Sequence, residues 1–211
     1  MTNQKVFPSV MAKNQQELDV MLKNLTGVAK YLHLDVADGK FVPSTSLWFP
    51  FRLSKKFKYI AHLMVREPTK WIKKHGKKVE FCIVQAEVVN IADYVKNAKA
   101  QKKKIAFALS PETKVDRIKK HLKDIDYVLI LTVHPGFYGA KYLSYPLKKI
   151  REIKQINPRV KVIVDGGMNP QTVKEAAKAG ADLVISGSFI TEAEKPKERM
   201  KMMGRNLSKS F

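Results

Sequence analysis

Four residues carry the chemistry this sequence offers: His33 and Asp35 in YLHLDVADG, His62 in AHLMV, and Asp165 in VIVDGG. Each lies at or beside the C-terminal end of a short apolar run that reads as a β-strand. Side chains alternate faces along a strand, so His33 and Asp35, two positions apart, point the same way. If the strands close into one barrel, all four side chains converge at its mouth. Two imidazoles and two carboxylates together make a site for a divalent metal ion, and the carboxylates can also move protons. That combination suits proton transfer beside a sugar carbonyl. Each residue alone has a plainer reading. A strand histidine is usually a hydrogen-bonded core residue, and Asp before Gly-Gly is usually a turn residue. Their placement at matching strand ends is what favours the site.

The elements that must position these residues alternate along the chain. Strands are expected at 6–9, 31–35, 59–64, 81–85, 105–109, 127–132, 160–164 and 183–186. Helices are expected at 15–24, near 49–56, and at 68–74, 91–100, 115–121, 143–155, 170–179 and 196–207. Asn14 before QQEL and the pair Asn169-Pro170 are helix-start signals, and Gly180 after AAKA is a helix stop. Eight strand–helix units in 211 residues imply an α/β chain folded as a single compact (β/α)8 TIM barrel spanning residues 1–211, with 206–211 a frayed tail. An open doubly wound sheet is the alternative, weakened by the lack of a GxGxxG turn after the first strand.

In such a barrel the reactive face is the C-terminal end of the strands. Two Gly-rich loops sit there, VDGGMNP and ISGSF. Glycine lets the backbone approach a ligand closely, and barrels commonly bind phosphate in these two loops. Gly166, Gly167 and Gly187 are therefore read as phosphate contacts rather than simple turns. The loop TVHPGFYGAKY, with Pro135, Gly136 and Gly139, reads as a flap over the mouth. Asp38, in ADGKFVP, reads as turn chemistry instead.

The bulk properties bound the partners. Forty Lys and Arg against nineteen Asp and Glu give +21. Nucleic-acid binding, steering of an anionic substrate and a merely solvated Lys-rich surface all compete. The lysines are spread along the chain without interleaved aromatics, which favours the solvated surface. No apolar run approaches the roughly 18 residues needed to cross a bilayer, and the first residues lack a secretory apolar region. The single cysteine, Cys82 in FCIVQ, excludes an internal disulfide, fits a reducing cytoplasm and reads as a packed core thiol.

PSVMAKN, HLDVADGKFVP, HLMV, ALSPET, TVHPGFYG, VDGGMNP and SGS, in this order from Phe7 to Ser188, resemble the ribulose-phosphate 3-epimerase family. The resemblance implies a metal-dependent epimerase of the pentose phosphate pathway, inverting C3 of D-ribulose 5-phosphate to give D-xylulose 5-phosphate. Its metal ligands fall on His33, Asp35, His62 and Asp165, and Asp35 and Asp165 fall on its acid–base pair. The metal, commonly zinc, iron or manganese and equally cobalt by donor type, stabilises an enediolate in that family. Ser9, Met64, Gly136, Gly139, Gly166, Gly167, Gly187 and Ser188 fall on substrate contacts. The family forms homo-oligomers. This chain departs from its pattern at several positions. Ala37 and Leu131 replace methionines of a polarisable wall, and Gln85 replaces a histidine. Tyr138 and Ala140 alter the flap. Ser44 replaces an asparagine, and Trp48 and Phe49 add bulk expected near the mouth. These changes leave allulose 6-phosphate, or another ketose phosphate, as an alternative substrate. A non-catalytic phosphosugar- or nucleic-acid-binding barrel is a further alternative.

Overall fold

Runs of β-branched and apolar residues form eight parallel strands, and helices cover them. A computed structural model describes residues 4–136 and 139–208. The strands are β1 (Val6–Val10), β2 (Tyr31–Asp38), β3 (Lys58–Met64), β4 (Phe81–Gln85), β5 (Ala106–Leu109), β6 (Tyr127–Leu131), β7 (Lys161–Asp165) and β8 (Leu183–Ser186). Neighbours in sequence are neighbours in the sheet. Pairing of β1 with both β2 and β8 closes the barrel. A two-residue antiparallel strand, Thr45–Ser46, pairs with the end of β2.

The strands are buried on both faces, as a parallel sheet with helical cover requires. Phe7, Ile60, Ile83, Leu129, Ile163 and Ile185 belong to the cluster that fills the barrel. The opposite faces of the same strands, with Leu34, Leu63, Phe107 and Val164, pack against helix residues such as Leu18, Ile118, Ile150 and Val173. The barrel interior below the mouth is therefore filled by apolar side chains.

The covering helices are α1 (Gln15–Asn24), α2 (Pro68–His75), α3 (Ile91–Ala100), α4 (Asp116–Lys119), α5 (Lys148–Ile156), α6 (Pro170–Ala179), α7 (Ser188–Thr191) and α8 (Pro196–Ser208). The capping signals act as the sequence suggests. The Asn14 side chain accepts from Glu17 N, and the Asn169 side chain accepts from Gln171 N and Thr172 N. Gly180 ends α6 in the left-handed region, with φ 99°.

Several elements differ from the sequence expectation; the strand expected at 31–35, for one, runs on to Asp38. No helix forms at 49–56: Arg52 spends its backbone groups on the Gln15 side chain, accepting and donating at 3.2 and 2.9 Å. The helix expected from 143 becomes a short 3-10 turn, Tyr145–Leu147, followed by α5. Pro146 explains this, since proline fits a first helical turn but breaks a helix interior. Helix α4 keeps only the middle of the expected 115–121 segment. Finally, α8 runs past Arg205 to Ser208, and Leu207 is buried, so the polar stretch expected to fray begins as packed helix.

Candidate functional site

Strand register places the chemical residues. Asp35 on β2 lies beside His62 on β3, and His33 lies beside Ser9 on β1. Asp165 ends β7, between Leu131 of β6 and Ile185 of β8. The period-2 alternation turns His33 and Asp35 to the same side, toward Asp165. His33 Nε2 is 3.1 Å from Asp35 Oδ1 and 3.8 Å from Asp165 Oδ2. His62 Nδ1 is 3.3 Å from Asp35 Oδ1 and 4.0 Å from Asp165 Oδ2.

The four ligand atoms all lie within 4.8 Å of one another. They comprise two nitrogens and two oxygens with no thiolate, which suits a first-row divalent cation such as zinc, iron, manganese or cobalt. The residues present thus fit a metal ion, and the cluster could hold one.

Electrostatics set the two carboxylates apart. Burial alone would raise Asp35, but its contacts with His33 and His62 hold it well below the usual carboxylate range. Burial and the Asp35 charge push Asp165 up to about 7, with His33 opposing. Burial disfavours a charged His33, yet the Asp35 and Asp165 carboxylates raise it. Burial prevails at His62 and lowers it.

A second layer fixes these groups. Gln85, fully buried at the end of β4, places its amide Nε2 2.8 Å from His62 Nε2. Thr132 follows β6 and donates through its hydroxyl to the carbonyls of Asp165 at 2.9 Å and Gly166 at 2.7 Å. These bonds hold the turn that carries Asp165. Gly166 has φ 111°, and a Cβ there would meet Val133 Cγ2 at 2.6 Å, so only glycine fits.

Above the cluster opens a cavity of about 570 Å³. Ser9, Asp35, His62, Met64, Gly136, Gly139, Asp165, Gly166, Gly167, Gly187 and Ser188 all line it. His33, also expected at the site, is fully buried behind Asp35 and does not line the cavity. The Gly-rich loops are pinned from below: Ser186 Oγ donates to Met168 O, and Thr172 Oγ1 to Gly167 O. Pro135, Gly136, Gly139 and Ala140 bring the loop after β6 to the cavity wall, while Phe137 and Tyr138 lie outside the described residues.

Sequence reasoning misplaced Trp48 and Phe49. They line a separate cleft of about 270 Å³ with Lys70, Trp71, Lys74 and His75 of α2. The chain from Leu47 to Phe51 turns away from the mouth because Phe51 stacks on His75, with ring centroids 4.8 Å apart. Asp38 behaves as turn chemistry: Oδ1 accepts from Lys40 N and Phe41 N, and Oδ2 from Arg66 N. Cys82 is a buried core thiol, pushed up to about 12 by burial.

Other lining residues were missed by sequence reasoning. Met11, Met168, Asn169, Phe189 and Arg199 reach the cavity. Asn169 was visible as a helix cap, and Met11 and Met168 sit inside the quoted motifs. Nothing local marks Arg199, which arrives from α8 by tertiary packing alone. Gln85 was visible as a departure, but its contact with His62 was not.

Comparison with known proteins agrees with the geometry. Residues 5–191 match the ribulose-phosphate 3 epimerase family. A relative from Bacillus subtilis, named ribulose-phosphate 3-epimerase, is 32% identical over 198 residues, covering 88% of this chain and 91% of its own. A relative from Oryza sativa subsp. japonica, named as the cytoplasmic isoform of ribulose-phosphate 3-epimerase, is 28% identical over 217 residues, covering 98% and 95%. Among solved structures, 3-keto-L-gulonate-6-phosphate decarboxylase from Vibrio cholerae superposes with a TM-score of 0.69 at 10% identity, each chain covered in full, which is a likeness of fold. With the family matched across the barrel, the chain belongs to the ribulose-phosphate 3-epimerases, isomerases acting on carbohydrates.

Proposed function

We propose that the protein interconverts D-ribulose 5-phosphate and D-xylulose 5-phosphate. The observation that carries this reading is the His33, Asp35, His62 and Asp165 cluster, three of whose members line a cavity that Gly166, Gly167 and Gly187 line as well. His33, Asp35, His62 and Asp165 would hold one divalent metal ion. Bound there, the ion would supply positive charge beside the ketone and C3 oxygens of the sugar.

The remaining work falls to this chain's own residues. Asp35 enters from β2 and Asp165 from β7, so the two carboxylates approach the cavity from different strands. One carboxylate takes the C3 proton, and the C–H electron pair moves into the bond to C2 as the ketone oxygen gains charge. The other carboxyl group returns a proton to the opposite face of C3. The configuration inverts, and the two carboxyl groups exchange protonation states. Gly166, Gly167, Gly187 and Ser188 hold the phosphate, largely through backbone N–H groups. Ser9, Met64, Gly136 and Gly139 shape the space around the sugar. The family and the phosphosugar named for its members support this assignment. A cytoplasmic setting is supported by the buried free thiol of Cys82 and by the name of the rice relative.

The test is proton exchange. Metal-loaded protein is incubated with ribulose 5-phosphate in D2O and followed by proton NMR. Deuterium at C3 together with xylulose 5-phosphate supports the reading. Turnover confined to allulose 6-phosphate or another ketose phosphate overturns the substrate, and no exchange with any ketose phosphate overturns the enzyme reading.

A further inference from the structure

We infer that Arg199 is a second anchor for the substrate's phosphate and orients the sugar in the cavity. This inference rests on the phosphosugar reading above.

Of the forty lysines and arginines, Arg199 is the one whose residue lines the 570 Å³ cavity among the described residues. The cavity otherwise presents carboxylates: Asp35 and Asp165 on its floor and Glu192 near its rim. A dianionic phosphosugar entering such a space meets repulsion at one end and needs a cation at the other. Arg199 is the cation the cavity offers, beside Phe189, the neighbour of Ser188. It lines the cavity with Gly167, Asn169, Gly187 and Ser188, the residues of the two Gly-rich loops. Its guanidinium carbon lies 4.7 Å from the centroid of the Phe189 ring.

That contact gives the exposed side chain an aromatic face to rest on. Arginine is flexible, and a long exposed side chain loses entropy on binding. Resting on an aromatic face removes part of that cost, and the planar fork still has free N–H groups for phosphate oxygens. No ion pair within 4.0 Å occupies Arg199 among the described residues. Phe189 directly follows Ser188 in α7, so the residue beside the cation adjoins a proposed phosphate contact. The arrangement fixes polarity: phosphate toward Arg199, carbonyl and C3 toward the two aspartates.

The test compares metal-loaded wild type with R199A, R199K, F189A and K201A. Lys201 is exposed on the same helix and does not line the cavity, so K201A removes the same charge elsewhere. Steady-state kinetics with ribulose 5-phosphate are paired with binding of inorganic phosphate followed by phosphorus NMR. R199A should raise KM and weaken phosphate binding about 10-fold or more, as expected for hydrogen bonds to a charged group, with kcat nearly unchanged. R199K should recover part of the loss, F189A should lose about 2–5-fold, and K201A should match wild type. Equal KM and phosphate affinity in wild type and R199A overturn the inference, as does an equal loss in K201A. Failure of wild type itself to turn over ribulose 5-phosphate defeats the epimerase reading instead. Phosphate binding by wild type and R199A still decides the role of Arg199 in that case.

Discussion

Replacing Gln85 with leucine should weaken metal binding without unfolding the barrel. In the structure the Gln85 amide nitrogen lies 2.8 Å from His62 Nε2, while Gln85 Oε1 is buried with no partner among the described residues. With the amide donating to Nε2, the His62 proton sits on Nδ1, facing Asp35 Oδ1 at 3.3 Å. A metal-ligating Nδ1 must give up that proton and leave Nε2 protonated. Nε2–H then needs an acceptor, and a half-turn of the Gln85 amide supplies its oxygen. Gln85 can therefore serve both tautomers, and leucine can serve neither.

Loss of such an outer partner costs about 10–100-fold in metal affinity, or about 1.4–2.7 kcal/mol. Leucine is close to glutamine in size, so the fully buried site keeps its packing. The assay is competition with a calibrated chelator, read alongside the melting temperature of the metal-free protein. Q85L should bind metal at least 10-fold more weakly, whereas Q85E, an acceptor in one orientation, should retain affinity. Nitrogen NMR of His62 should show an Nδ1–H tautomer without metal and Nε2–H with it. Unchanged affinity in Q85L, with both tautomers also unchanged, would refute the reasoning.

Three further outcomes follow from the same geometry. D35N and D165N should each lose at least about 100-fold in turnover while melting near wild type, because each removes one of two proton-transfer groups; substantial activity in either variant sinks the two-carboxylate scheme. G166A should cost about 2 kcal/mol, or about 4–8 °C in Tm, since φ is 111° and Val133 blocks the new Cβ. G27A, with φ 76° and nothing within 4 Å of its Cβ, should cost less, and equal losses would mean that Val133 yields freely. Asp182 accepts from Lys154 at 2.6 Å, Lys161 at 2.8 Å and Val162 N at 2.9 Å; burial opposes its charge, yet these bonds lower its pKa. Its stabilisation is therefore present above the unfolded carboxylate value of about 3.9 and fades as pH falls through the lower folded value, so the urea-midpoint gap between wild type and D182N should narrow from pH 6 toward pH 3.

The cluster of two histidines and two aspartates was legible in the sequence because its logic is local to strands. His33 and Asp35 are two residues apart and share a face whatever the neighbouring strands do, and the register of β2 with β3 sets Asp35 level with His62. The Gly-rich loops were legible for the same reason, since a positive φ such as that of Gly166 demands glycine in place. Contacts made across the barrel mouth were not legible. Arg199 approaches from α8, packed beside α6 and α7, and no spacing in the chain encodes that approach. The expected helix at 49–56 failed where tertiary bonds from Gln15 outweighed local pattern, and Trp48 followed that segment into a different cleft.

The altered methionine wall has a packing explanation. Ala37 stands where the family pattern has methionine, yet it leaves no gap. It is fully buried in a cluster with Val42 and Met64, and Phe41 packs against them. Val42 comes from the loop after β2 and packs in the same cluster as Ala37. It also supports the loop after β6, since a Cβ on Gly136 would come within 2.8 Å of Val42 Cβ. A methionine restored at 37 would press Val42 toward Gly136 and disturb the rim, so the small residue and the close loops depend on each other. Soft thioether surface is not lost with it. Met11 and Met168 line the cavity beside Met64, from the end of β1 and the loop after β7. Met11 and Met168 thus add polarisable surface to that of Met64, which the family pattern keeps.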